Sequence, residues 1–242
     1  MNGLSGQSAL VTGGAKRIGR AIALSLAEAG AAVTITFRSS RAEAEQTLRD
    51  LQNLGIKAQA LACDVRSESS VRQAVDAAAQ FHGRLDILIN NAAVFETAAL
   101  DTLTLEQWDT VFETNTRGPF LVAREALPHL RGAHGRIVNI GSLGGLRAWA
   151  GHAHYCASKA AVHMLTQAMA KAFAPEVTVN CVAPGWIDLD DAAGGQGKRF
   201  AAKTPVRRNG TAEEVAQAVL FFASGPAFIT GQILAVDGGL GL

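Results

Sequence analysis

A tyrosine and a lysine four residues apart, Tyr155 and Lys159, could together transfer a proton to an oxygen atom. Residues at this spacing lie on one face of a helix, so a helical segment would place the phenol beside the ammonium group. The phenol has an ordinary pKa near ~10, and a neighbouring positive charge lowers that pKa. Ser142, thirteen residues earlier, supplies a hydroxyl that could donate to the same oxygen. Such a set suits a carbonyl whose oxygen gains negative charge when its carbon accepts a hydride.

A glycine-rich segment, Thr12–Gly19, could bind the pyrophosphate of a dinucleotide. It follows an apolar strand-like run and opens a helical pattern. Glycines let the backbone approach an anion closely, and the first N–H groups of the helix attract negative charge. A strand-to-helix turn of this kind can also be purely structural. Lys16 and Arg17 add two cations and therefore favour the phosphate interpretation.

The segment after the second predicted strand indicates which dinucleotide is bound. Enzymes that use NAD carry Asp or Glu here to hold the ribose 2′-hydroxyl. This chain has Arg38-Ser39-Ser40-Arg41 instead, with no acid before Glu43. A guanidinium and hydroxyls match a 2′-phosphate, so the segment predicts NADP(H). Ser39 or Ser40 could also be the N-cap of the next helix, and the two interpretations are compatible.

Short β-branched segments alternate with longer helical patterns along the chain. This alternation predicts an α/β fold: a doubly wound parallel sheet of seven strands with helices on both faces, in one domain of residues 1–242. Ligands bind such a sheet at the carboxyl ends of its strands. We predict strands at Ser8–Thr12, Ala32–Phe37, Lys57–Cys63, Leu85–Ile89, Arg136–Ile140, Val177–Val182 and Ile233–Val236, and helices at Ile18–Ala29, Ala42–Leu54, Ser70–Phe81, Leu105–Leu130, Ala153–Phe173 and Ala212–Phe222.

The composition is that of a compact protein with a sizeable core: 48% of the 242 residues are hydrophobic and 18% are charged. Lys and Arg number 22 against 21 acids, which gives no reason to expect a nucleic acid or a membrane surface as partner. The three cysteines fit neither a disulfide framework nor a metal site. The N-terminal residues lack the blocks of a signal peptide, and no run is long enough to span a membrane. We therefore expect a cytoplasmic protein without a metal ion.

These motifs resemble those of the short-chain dehydrogenase/reductase family. The resemblance rests on a Thr-Gly-x-x-x-Gly-x-Gly loop at Thr12–Gly19, an Asn-Asn-Ala-Gly motif at Asn90–Ala93, and Tyr-x-x-x-Lys with the preceding Ser142. It covers essentially the whole chain and implies a Rossmann-type sheet. The chain departs from the family pattern where Arg17 and Ala93 replace glycines and Leu189 replaces a threonine.

The resemblance implies roles for particular residues. The catalytic residues would be Asn115, Ser142, Tyr155 and Lys159, with Asn115 holding a water that passes protons to Lys159. NADP(H) would be bound by Gly13, Lys16, Arg17, Ile18, Gly19, Arg38, Ser39, Ser40, Asp64, Val65, Asn91, Ala92, Ala93, Tyr155, Lys159, Pro184, Gly185 and Ile187.

Within the family, Lys16-Arg17-Ile18-Gly19 and the missing threonine resemble the pteridine reductase branch, which implies a dihydropterin or dihydrofolate as substrate. That branch commonly has Asp in place of Ser142, so reduction of a 3-oxoacyl thioester or another small ketone is the alternative. A third possibility is an NADP(H)-binding sensor without turnover.

Several side chains would form the substrate end of the site. We expect Phe95, Leu143 and Trp186 to line it, and the polar, glycine-containing segment 186–204 to be an irregular, mobile lid. His152 and His154 flank the tyrosine, but their spacing favours surface histidines over metal ligands.

The two longest predicted helices carry more apolar surface than one face of a sheet can cover, including Val111, Phe112, Phe120, Met164 and Met169. Related enzymes pair these helices across a two-fold axis. We therefore expect a homotetramer, or otherwise a dimer.

Overall fold

The computed structural model describes residues 3–189 and 195–242. Strands and helices alternate in it as the sequence predicts, with boundaries that differ by a few residues. The strands are β1 Ser8–Val11, β2 Ala32–Phe37, β3 Ala58–Ala62, β4 Ile87–Asn90, β5 Arg136–Ile140, β6 Thr178–Pro184 and β7 Ile233–Val236. The helices are α1 Arg17–Glu28, α2 Arg41–Asn53, α3 Glu68–His82, α4 Leu105–Phe112, α5 Gly118–Ala133, α6 Ala153–Phe173, α7 Gly195–Lys203 and α8 Ala212–Ser224.

The strands form one parallel sheet in the order β3-β2-β1-β4-β5-β6-β7. From β1 the chain winds outward through β2 to β3, then returns to place β4 on the other side of β1. The winding direction therefore reverses between β1 and β4, and a crevice opens at the carboxyl ends of these two strands. The predicted fold class is confirmed.

Helices cover both faces of the sheet and bury its apolar side chains. Neighbouring residues in β4 show this directly, since Leu88 packs with one buried cluster and Ile89 with the other, and both are inaccessible to solvent. Helices α1, α2 and α8 cover one face, and α3, α5 and α6 cover the other. Burial on both faces explains why the strands are continuous apolar runs. Among the described residues, no helix is long and apolar enough to cross a membrane.

The predicted helix Leu105–Leu130 is interrupted by a π-helical turn. Helix α4 ends at Phe112, the turn spans Glu113–Arg117, and α5 continues to Ala133. A π turn inserts an extra residue into a helix and changes the direction of the side chains around it; such turns occur frequently at functional sites. Asn115 lies in this turn and is buried.

The predicted lid, segment 186–204, is not irregular throughout, because α7 occupies Gly195–Lys203. Residues 190–194 of that segment lie outside the described residues. The indole of Trp186 stacks on the ring of Phe200 in α7, with centroids 4.3 Å apart. The amide Nδ2 of Asn209 donates to Asp188 Oδ1 at 2.7 Å and to Gly197 O at 3.0 Å. These contacts hold α7 against the chain that follows β6.

Candidate active site

A cavity of about 570 Å³ opens at the carboxyl ends of the strands. Every residue predicted to bind NADP(H) lines it, although these residues come from six separate parts of the chain. Ser142, Phe95 and Trp186 line it as well, whereas Asn115 and Leu143 do not. The cavity therefore joins the glycine-rich loop and Arg38 to Tyr155 and Lys159.

Hydrogen bonds tie the glycine-rich loop to the end of β4. The hydroxyl of Thr12 accepts from the backbone N–H groups of Asn91 and Ala92, at 3.0 and 3.1 Å. The side-chain amide of Asn91 donates back to the carbonyls of Thr12 and Gly13, at 2.9 and 3.0 Å. This reciprocal set fixes the loop at the point where the winding of the sheet reverses. Thr12, which opens the loop motif, therefore has a structural role that the sequence did not predict.

Asn90 and Asn91 form hydrogen bonds with different parts of the structure. Whereas Asn91 binds the loop, Asn90 donates to Asn139 Oδ1 at 2.9 Å and so ties β4 to β5. Asn90 therefore joins two strands, whereas Asn91 both fixes the loop and lines the cavity.

Two glycines let the start of α1 pack directly on the loop. Gly13 has φ +64°, a left-handed conformation that side chains disfavour. A Cβ at Gly19 would lie 2.2 Å from Gly13 O and 2.5 Å from Asn91 Nδ2. Because both contacts involve fixed groups, a side chain at position 19 must displace the loop.

Substitution of Gly19 by alanine is expected to lower the free energy of unfolding by about 1–3 kcal/mol, because it overpacks this contact. The affinity for NADPH should fall with it, since the displaced loop is the predicted phosphate site. Thermal unfolding and NADPH titration would measure the two effects. Gly132→Ala is the matched control: Gly132 is also helical, but nothing lies within 4 Å of its added Cβ. Equal losses in both variants would contradict the packing argument.

Arg17 has the backbone conformation of the glycine that it replaces. Its φ is +53°, in the left-handed region that costs a side chain roughly 1–2 kcal/mol. Arg17 lines the cavity together with Lys16 and Ile18. Lys16, the other predicted cation, forms an ion pair with Glu43 at 3.1 Å, and both side chains are about half exposed.

The segment that follows β2 contains a serine, Ser40, whose hydroxyl is not used to cap the next helix. Ser40 occupies the N-cap position of α2, but its side chain makes no capping hydrogen bond. Arg41 lies over the ring of Phe37, with its guanidinium carbon 5.6 Å from the ring centroid. Arg38, Ser39 and Ser40 all line the cavity, whereas Arg41 does not. The interpretation of these serines as helix caps is therefore not supported for the Ser40 hydroxyl.

Asp64, predicted to bind NADP(H), already has a strong partner. Its carboxylate forms an ion pair with Arg66, whose Nη2 lies 2.6 Å from Oδ2. The hydrogen bond from Arg66 holds the pKa of Asp64 below its ordinary value. Asp64 and the adjacent Val65 line the cavity as an anion and an apolar surface respectively.

The reaction end of the cavity brings together Tyr155, Ser142 and Lys159. The Lys159 Nζ donates to Ile140 O at 2.7 Å, at the carboxyl end of β5, and burial lowers the pKa of this lysine to about 8. The hydroxyl oxygen of Ser142 accepts from the N–H of Gly144 at 3.0 Å, and the same hydroxyl is hydrogen-bonded to the phenol of Tyr155. These three side chains could orient and protonate an oxygen atom.

The pKa of Tyr155 shifts in the direction opposite to the sequence-based prediction. Burial raises it, and the hydroxyl of Ser142 only partly offsets this effect. The Lys159 Nζ lies 5.9 Å from the centre of the tyrosine ring and is engaged by Ile140. Desolvation therefore outweighs the expected effect of the ammonium group, and the phenol stays protonated at neutral pH.

Asn115 lies behind the cavity rather than in its lining. Its Oδ1 accepts from Val94 N at 2.8 Å, and its Nδ2 donates to Val94 O at 3.0 Å and to Ser158 Oγ at 3.1 Å. The Ser158 hydroxyl in turn donates to Tyr155 O at 2.8 Å. Asn115 thus links the loop after β4 to α6, and its predicted water-holding role stays a prediction. The sequence analysis assigned no role to Ser158, although it lies next to Lys159.

The structure places Leu143 and His154 differently from the predictions. Leu143, expected to line the substrate end, is 2% exposed and packs against the C-terminal turn at Gly241. His154, expected at the surface, is fully buried, because its side of α6 faces the interior. His152 stacks on the ring of Phe95, with centroids 4.7 Å apart. Across residues 3–189 and 195–242, no group of three potential ligands could hold a metal ion.

The fold and this site define an oxidoreductase with a dinucleotide cleft. A family model described as enoyl-(acyl carrier protein) reductase matches residues 13–241. The 3-oxoacyl-[acyl-carrier-protein] reductase of Staphylococcus aureus is 36% identical, over 97% of this chain and 98% of its own length. The chain belongs to the short-chain dehydrogenase/reductase family.

Solved structures agree with this family assignment. A short-chain dehydrogenase from Burkholderia cenocepacia, in complex with NADP, superposes with a TM-score of 0.94 at 40% identity and covers all of both chains. A blue fluorescent protein from a metagenomic library, in complex with NADPH, superposes with a TM-score of 0.93 at 36% identity over 99% of each chain.

Proposed function

We propose that the protein is an NADPH-dependent reductase that converts a ketone into a secondary alcohol. One observation carries this proposal: a single cavity connects Arg38, Ser39 and Ser40 to the proton-donating group at Tyr155. Arg38, Ser39 and Ser40 fit a 2′-phosphate, since the Ser40 side chain does not cap the helix and the segment contains no acid before Glu43. The relatives that contain NADP or NADPH support the same choice of cofactor.

The residues present fit this cofactor. The close approach of Gly13 and Gly19 and the uncapped start of α1 form a cradle for its pyrophosphate. Pro184, Gly185 and Ile187 line the cavity after β6 and would hold the nicotinamide end. When bound, NADPH supplies the hydride.

The side chains of this protein would manage the proton and the orientation of the substrate. The raised pKa of Tyr155 keeps its phenol protonated, so it can donate a proton to the ketone oxygen. The O–H of Ser142 would donate to the same oxygen and orient it. Lys159 is fixed by Ile140 O beneath the tyrosine, where its charge would favour the phenolate left after proton transfer.

Ketones are favoured over dihydropterins as the substrate class. Ser142 stands where the pteridine branch commonly has an acid, and at the reaction end no carboxylate lines the described part of the cavity. The Staphylococcus aureus relative, a 3-oxoacyl-[acyl-carrier-protein] reductase, makes a 3-oxoacyl thioester the first substrate to test. The Lys16-Arg17-Ile18-Gly19 segment is what favours a dihydropterin.

The test is consumption of reduced cofactor by the purified protein. NADPH and NADH would each be offered with an acetoacetyl thioester and with dihydropterin. NADPH loss with the thioester supports the proposal. Loss with dihydropterin alone would instead place the protein in the pteridine branch, and NADPH binding without any turnover would favour a sensor.

Replacement of Arg38 by alanine is expected to weaken NADPH binding about 10- to 100-fold, because a charge-assisted hydrogen bond to the 2′-phosphate is lost. NADH binding should change little, since NADH lacks that phosphate. Fluorescence titration of both cofactors would measure this. Arg41→Ala is the matched control, because Arg41 lies nearby but outside the cavity lining. A similar loss for NADPH and NADH in Arg38→Ala would contradict the assignment.

We also propose that the protein assembles as a homotetramer, through the surface of α4, α5 and α6. A wide groove there is lined by apolar side chains, of which Phe120 is 43% and Met164 65% exposed, and also by the charged side chains of Asp109, Glu113 and Arg117. Phe112 lines the groove too. Val111 and Met169, which the sequence analysis assigned to the same surface, are buried in the core instead. Light scattering that gives the mass of one chain would contradict assembly.

A further inference from the structure

Two aromatic rings adjoin the phenol of Tyr155. The ring of Phe95 meets it edge-to-face, with centroids 4.8 Å apart and an interplanar angle of 90°. The indole of Trp149 lies nearly parallel to it, at 6.4 Å and 19°. Phe95 is held in this orientation by His152, on which it stacks at an interplanar angle of 21°. Phe95 remains 55% exposed and lines the cavity with Trp149, so flat apolar surface faces the reaction end.

A third aromatic side chain completes this end of the cavity. Trp186 follows β6 and lines the cavity together with Leu189. Its stacking on Phe200, with an interplanar angle of 11°, joins it to α7. The reaction end is therefore bordered by rings from three separate parts of the chain.

All but one of the charged side chains in the described lining of the cavity lie away from its reaction end. Lys16, Arg17, Arg38 and Asp64 belong to the phosphate and adenosine end. Lys159 is the exception, and its ammonium is held by Ile140 O. Burying an unpaired charge beside these rings would be costly, so this end favours a neutral substrate.

We propose that the substrate is a neutral ketone whose carbonyl carbon carries a flat, conjugated ring. This inference rests on the proposed function and specifies its substrate. The ring would lie against Phe95 and Trp149, which place the carbonyl oxygen near Tyr155. Offset-stacked and edge-to-face aromatic pairs gain energy beyond the area that they bury, which a saturated ring of the same size cannot obtain.

The reaction is balanced with NADPH and one proton. Hydride from NADPH forms a C–H bond at the carbonyl carbon while the C=O π bond breaks. The oxygen takes the proton of Tyr155, which solvent restores. The ketone is reduced to a secondary alcohol and NADPH is oxidised to NADP⁺.

Acetophenone and cyclohexyl methyl ketone provide a matched test, because they differ in the flatness and conjugation of the ring and little in size. Their intrinsic reactivities differ, so the ratio of their kcat/KM values is compared between the wild type and variants. We expect that ratio to fall about 10-fold in Trp149→Leu and several-fold in Phe95→Leu, as expected for the loss of one aromatic pair each. Phe221→Leu is the control: this exposed phenylalanine of α8 does not line the cavity, so the ratio should not change.

The outcomes separate this inference from the proposed function. If the thioester is reduced but neither ketone is, or if the ketones are reduced with the same ratio in wild type and variants, the inference is wrong and the function stands. If NADPH binds but no ketone or thioester is reduced, the proposed function fails and the inference fails with it. A thermal unfolding measurement on each variant ensures that the ratios come from folded protein.

Discussion

Replacing Tyr155 with phenylalanine is expected to lower kcat about 100- to 10,000-fold while leaving the affinity for NADPH within about 2-fold of the wild type. General acid catalysis contributes about 10²–10⁴ to such a rate, and the phenol is the group assigned to it. Phenylalanine keeps the ring that packs against Phe95 and Trp149, so the substitution removes little besides the hydroxyl. Steady-state kinetics and NADPH titration would measure the two quantities.

The two measurements distinguish the alternatives for this site. Retained activity would show that another group donates the proton, and the assignment of Tyr155 would be wrong. Loss of NADPH binding together with turnover would mean that the variant is misfolded or that Tyr155 has mainly a structural role. A wild type that binds NADPH but reduces nothing would leave the sensor hypothesis.

Replacing Lys159 with methionine is expected to change how stability depends on pH. The pKa of this lysine falls from 10.5 to about 8 on folding because its ammonium is buried. Between these two pH values the unfolded chain binds more protons than the folded one, so the free energy of unfolding rises with pH. Each pKa unit corresponds to about 1.4 kcal/mol, so the lysine should account for a rise of up to about 3 kcal/mol, absent in Lys159→Met.

The difference between wild type and variant is the quantity to measure. Burial also raises the pKa of Cys181 from 9.0 to about 11, and that of Tyr155. A folded-state pKa raised in this way makes stability fall as pH rises, which opposes the effect of the lysine. Subtracting the Lys159→Met curve removes most of this contribution, because both groups remain in the variant.

Chemical denaturation from pH 7 to pH 10, without NADPH, would give the two curves. Lys171→Met is the matched control, since Lys171 lies exposed on the same helix and should not alter the pH dependence. A wild-type curve that stays parallel to that of Lys159→Met would contradict the buried, destabilising ammonium. Turnover should be lost in Lys159→Met and kept in Lys171→Met.

Local sequence patterns predicted the architecture, and the family resemblance supplied many of the residues around the cavity. Alternating strand and helix patterns lead to a parallel sheet, because right-handed crossovers leave few other arrangements. The carboxyl ends of parallel strands meet at one edge, so segments as distant as Thr12–Gly19 and Pro184–Ile187 could be assigned to one site. Spacing on a helix was enough to bring Tyr155 beside Lys159.

Burial and long-range contacts decided the remaining features, and these are not encoded in local spacing. Leu143 faces the C-terminal turn and His154 the interior, because of how the segments around α6 pack. Asn115 lies in the π turn and bonds to the backbone of Val94 without lining the cavity. The direction of the Tyr155 pKa shift depends on how completely the phenol is desolvated. Residue types and spacing therefore determined which groups meet at the site, and tertiary packing determined their exposure, partners and protonation.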